Sequence, residues 1–84
     1  MNDSQKSLTA RERIERAVEQ AYDFMASAVF DPEDASAWLR FRIDSKDGAP
    51  LTQPVAYHVS EIDDMSDERL RKMVASLSPL FQNN

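Results

Sequence analysis

The sequence predicts an α+β domain, because its apolar residues follow two different periods. Residues 9–30 carry an amphipathic stripe repeating every 3.6 residues, whereas residues 38–43 and 55–59 alternate with a period of two. Helical and extended segments therefore follow one another in a chain of 84 residues, the length of a single domain.

Residues 1–8 are polar apart from Met1 and Leu8 and read as a disordered tail ahead of a domain spanning 9–81, with 82–84 as a second tail. Thr9 and Glu12 have the spacing of a capping box, in which each side chain serves the other residue's backbone N–H. From there Ile14, Val18, Ala21, Tyr22, Met25, Ala28 and Val29 fall on one face of a helix expected to reach about Phe30. Its opposite face holds Glu12, Glu15, Arg16, Glu19 and Asp23. Glu15, Glu19 and Asp23 are like charges four residues apart, which costs a little stability and suggests a docking surface. A stripe this wide exceeds what a small sheet needs for cover, so a second copy of the chain is expected against it.

Asp31, Pro32, Glu33 and Asp34 form a helix-start signature: a capping Asp, Pro at the first position and acids at the positive end of the dipole. The helix they open must be short. Trp38 to Ile43 alternates, with Leu39, Phe41 and Ile43 on one face and Trp38, Arg40 and Arg42 on the other, the pattern of a half-buried strand. Residues 44–54 contain the only glycine and two prolines and read as a loop. Val55, Tyr57 and Val59 then alternate with Ala56 and His58, giving a second strand that pairs antiparallel with the first. A last helix starts near Ser66, keeps Leu70, Met73, Val74 and Leu77 on one face, and is stopped by Pro79; Leu80 and Phe81 follow as an apolar tip. The expected architecture is thus a long N-terminal and a shorter C-terminal helix packed on a two-stranded antiparallel hairpin, its sheet extended across a dimer.

Ten basic residues against fifteen acidic ones give a net charge of −5, which argues against general nucleic-acid binding. The chain has no cysteine, which excludes disulfides and thiolate metal sites and leaves self-association as the support for a marginal core. No apolar run reaches the roughly 18 residues of a membrane span, and the N-terminal residues lack a signal-peptide core. A cytoplasmic protein is expected. One histidine and no nucleophile-elbow pattern leave little for catalysis, and a single glycine removes phosphate loops, so neither an enzyme nor a cofactor is expected. The carboxylates at 61–68 lack calcium-loop spacing, so a minor enzyme or metal-binding role stands only as a second alternative.

Two surfaces remain as candidates for partner binding. One is acidic: Glu15, Glu19 and Asp23 with Asp31, Glu33 and Asp34. The other is the Trp38, Arg40 and Arg42 strand face, which His58 and Lys46 would extend into an alternative surface for single-stranded nucleic acid or RNA. The function expected from these is non-enzymatic: a small acidic regulator or inhibitor that binds a protein partner, a basic nucleic-acid-handling surface being one such target.

Overall fold

The computed structural model describes residues 8–31, 37–77 and 79. The tails at 1–7 and 82–84, the helix start at Pro32, Glu33 and Asp34, and the Leu80–Phe81 tip lie outside the described residues. Within them the chain is an α+β domain: helix α1 (Ala10–Ala21), strands β1 (Ala26–Phe30), β2 (Trp38–Ser45) and β3 (Val55–His58), then helices α2 (Val59–Asp63) and α3 (Asp67–Ala75). The strands form one antiparallel sheet in the order β1-β2-β3.

Helix α1 begins as its sequence requires. Thr9 Oγ1 accepts from the Glu12 N–H at 3.1 Å, and Glu12 Oε1 accepts from the Thr9 N–H at 2.9 Å. It does not run to Phe30. Asp23 and Phe24 take left-handed backbone angles, φ 56° and 63°, and the Phe24 N–H reaches back to the Glu19 carbonyl at 2.7 Å. This is a Schellman-type stop with aspartate where glycine is usual, so no glycine advertises it. Met25, Ala28 and Val29 had matched the 3.6-residue stripe by coincidence. From Ala26 onward the residues alternate instead, Ala26, Ala28 and Phe30 facing the helices and Ser27 and Val29 facing away. The hairpin expected from the sequence is therefore the middle and one edge of a three-stranded sheet. Met25, Ala28 and Val29 are not on a helix, so the helical stripe is narrower than expected and its width no longer calls for a second chain.

The alternation of β2 holds: Phe41 and Ile43 are buried, whereas Trp38, Arg40 and Arg42 are exposed. Ile14, Ala17 and Val18 of α1 pack on the inner face together with Ile62 of α2 and Leu70 and Val74 of α3. Phe30, Phe41 and Tyr57 form an aromatic row across the three strands, with centroids 5.4 and 6.4 Å apart. Arg11 covers the end of that row, its guanidinium carbon 4.7 Å from the centre of the Phe30 ring.

Val59 opens α2 rather than extending β3. His58 ends the strand and caps this helix, its Nδ1 accepting from the Ser60 N–H at 3.2 Å while Glu61 accepts from the His58 N–H at 3.1 Å. The last helix starts as expected, with Ser66 accepting from the Arg69 N–H at 3.1 Å, but ends at Ala75, before Leu77 and well before Pro79. Arg13, absent from the sequence-based candidates, ties α1 to the end of α2 and the link that follows it through the carbonyls of Ile62 and Met65.

Tyr22, half-buried at the end of α1, donates its hydroxyl to the Val74 carbonyl at 3.3 Å. Burial raises its pKa above the ordinary phenol value. The raised folded value means this contribution is complete below the unfolded pKa of about 10 and is lost as pH rises through the folded one. The urea midpoint should fall above about pH 10, and Tyr22→Phe should remove part of that fall. An equally steep alkaline fall in Tyr22→Phe would refute the assignment.

Candidate functional site

The described helices cover the inner face of the sheet, and no described helix lies on the other face. Because side chains alternate, that face collects Ser27 and Val29 from β1, Trp38, Arg40, Arg42 and Asp44 from β2, and Ala56 and His58 from β3. Trp38 stands opposite His58, and the rings meet edge to face with centroids 5.2 Å apart. Trp38 is 50% exposed. The imidazole is held from two sides, by the indole and by the Ser60 hydroxyl 2.9 Å from Nδ1.

The two arginines differ. Arg42 is clamped by Asp44, Nε to Oδ1 at 2.7 Å and a terminal nitrogen to Oδ2 at 3.2 Å. This hydrogen bonding, and then the carboxylate's charge, holds the Arg42 pKa further above its already high value, against a smaller opposing effect of burial. Asp44 is itself buried. Arg42 is thereby neutralised in place, whereas Arg40 stays exposed. A shallow groove of about 320 Å³ runs beside them, lined by residues that include Val29, Asp31, Arg40, Arg42 and Pro54. Its lining mixes apolar side chains, Val29 and Pro54, with charged ones, Asp31, Arg40 and Arg42.

Of the residues expected in the strand-face site, Trp38, Arg40, Arg42 and His58 come together. Lys46 follows β2 in the turn at one end, its N–H donating to the Met25 carbonyl at 3.0 Å. On this face Arg42 is matched by Asp44, and Asp31 lines the same groove as Arg40. Its field on a phosphate backbone is correspondingly weak.

The acidic surface is not assembled as expected. Glu15 and Glu19 lie on α1, Glu15 with Arg11 at 3.8 Å, but Asp23 is in the left-handed turn and off the helical row. Asp31 prolongs the β1–β2 ladder through its N–H to the Arg40 carbonyl, at 2.9 Å. Glu33 and Asp34 lie outside the described residues. Among the described residues no three His, Cys, Asp or Glu side chains gather as metal ligands would, and no helix is long and apolar enough to cross a membrane.

Sequence reasoning missed the exposed apolar turn of Phe24 and Met25, 65% and 59% exposed, by placing both on a helix. Comparison with known proteins returned no matching family model, no matching curated protein and no matching solved structure.

Proposed function

We propose that this chain is a non-enzymatic cytoplasmic interaction module, a regulator or inhibitor that works as a homodimer and binds a protein partner through the open face of its sheet. The observation that carries this reading is the half-exposed Trp38, braced edge-on by His58 on the same face as the Val29–Arg42 groove. A large ring held in one orientation loses little entropy on binding, which is why such residues dominate interface energetics. The balanced charge around the face favours a protein segment over a phosphate backbone. The acidic row on α1 has weaker support, because Arg11 already neighbours Glu15 and Asp23 is displaced from it.

Partners captured from a lysate by the wild-type chain should be lost by roughly tenfold or more in Trp38→Ala, as for a central aromatic anchor. Capture should survive Glu15→Gln with Glu19→Gln. Retention by the tryptophan variant and loss by the double glutamine variant would reverse the assignment to the acidic row. Binding of single-stranded oligonucleotides at low salt that disappears in Arg40→Ala with Arg42→Ala would replace the protein partner with nucleic acid.

A further inference from the structure

Among the described residues strand β1 is an edge of the sheet, and its composition does nothing to protect it. Ala26, Ser27, Ala28, Val29 and Phe30 contain no charge and no proline, the usual guards of an exposed edge. The orientation of its backbone follows from the ladder. Met25 pairs with Lys46 and Asp31 with Arg40 through bonds of 3.0 and 2.9 Å, so the odd-numbered residues of this segment bond to β2. The N–H and C=O groups of Ala26, Ala28 and Phe30 consequently point away from the sheet.

We infer that β1 pairs antiparallel with β1 of a second copy, about a two-fold axis at Ala28, to give one continuous six-stranded sheet. This names the partner and the surface of the homodimer in the functional reading above and rests on that part of it. Four features select this occupant. The outward groups of Ala28 face those of its symmetry mate, and those of Ala26 face Phe30, so every outward N–H meets an outward C=O. Large falls opposite small: Phe30 against Ala26 on the inner face, and Val29 against Ser27 on the outer. The axis also sets Met25, 59% exposed, opposite Asp31 of the second copy, at the rim of its Val29–Arg42 groove. Finally, the two α1 helices run antiparallel on the same side. Arg11, stacked over Phe30, then comes level with the Ala26 end of the other strand, which is reached from Glu19 through the turn.

Strand pairing alone covers less than the roughly 1,000 Å² of a tight interface, so the dimer is weak, with a dissociation constant of about 10–100 μM. Sedimentation velocity of the full chain should show monomer at roughly 1 μM and mainly dimer at about 1 mM, either side of that constant. Amide hydrogen exchange over the same range should slow at Ala26, Ala28 and Phe30 by tenfold or more on going up in concentration. Ser27 and Val29, already bonded to β2, should show little change. Ala28→Pro removes an outward N–H that the β1–β2 ladder does not use and should leave monomer throughout. If the proline disturbs the strand, wild-type exchange still decides. A monomer at about 1 mM, or a dimer in which those three amides exchange unchanged, would overturn the pairing. Trp38→Ala should dimerise normally, so partner binding and self-pairing fail separately.

Discussion

Arg13→Met should lower stability by about 2–3 kcal/mol and the melting temperature by roughly 10–20 °C, more than any surface charge change in this chain. The side chain is only 18% exposed, and its fork donates to the Ile62 carbonyl at 2.9 Å, the Met65 carbonyl at 2.7 Å and the Asp67 carboxylate at 3.0 Å. These acceptors lie at the end of α2, in the link and at the start of α3, so one guanidinium fixes both C-terminal helices against α1. Asp67 is 80% exposed on its side chain, which limits the ion pair to about 0–1 kcal/mol. Charge-assisted bonds to two partly buried carbonyls carry the larger share, at roughly 1.5–3 kcal/mol each before water replaces any of them. The Ile62 carbonyl also accepts from the Met65 N–H at 3.1 Å, so the loss falls chiefly on the Met65 carbonyl. Methionine keeps the apolar stem, which isolates the donors. Asp67→Asn should cost less than about 1 kcal/mol, and Arg13→Lys should fall between, since an ammonium cannot reproduce the fork. Urea titrations of the three variants check the order; equal losses in Arg13→Met and Asp67→Asn would show that the ion pair, not the carbonyls, holds the helices.

Arg13 illustrates what the sequence could and could not disclose. Its position on the polar side of α1 is legible, but its acceptors are backbone carbonyls some fifty residues away, and a carbonyl has no sequence signature. Elements whose evidence is local were legible. The Thr9 and Ser66 caps, the alternation of β2 and the period of α3 each depend on residues within a few positions of one another. Ala26 and Ala28 are neutral between the two periods, and the helix stops after Ala21 through the left-handed Asp23 without glycine or proline, so β1 has no local signature. Within the candidate site, Trp38, Arg40 and Arg42 share a face by parity alone, and antiparallel pairing then brings His58 to Trp38. The clamp of Asp44 on Arg42 also obeys that parity, two residues apart on one strand. Reading residue 44 as the start of a loop hid it.

Thr52→Val should cost about 1–3 kcal/mol although it removes no volume, because it leaves a backbone donor in the core without its acceptor. The β2–β3 register would place residue 53 opposite Ile43, but the pairing ends at Phe41 with Val55. The inner side of β2 beyond that point still needs partners for its backbone. The loop supplies them: the Ile43 carbonyl accepts from the Leu51 N–H at 2.7 Å and the Thr52 N–H at 3.3 Å, and the Ile43 N–H donates to Thr52 Oγ1 at 3.0 Å. Thr52 is 3% exposed and Ile43 fully buried, so water cannot readily replace the hydroxyl. Valine matches threonine in shape and cannot accept, whereas serine keeps the acceptor and loses a methyl. Thr52→Ser should therefore retain most of the Ile43 hydrogen bond and lose about 1 kcal/mol for the missing methyl, and exchange of the Ile43 amide separates the two effects. In Thr52→Val that amide should exchange faster by tenfold or more relative to its neighbours, and in Thr52→Ser it should stay protected. A valine variant as stable as wild type, with the Ile43 amide still protected, would mean that the loop shifts to present another acceptor and that the hydroxyl is dispensable.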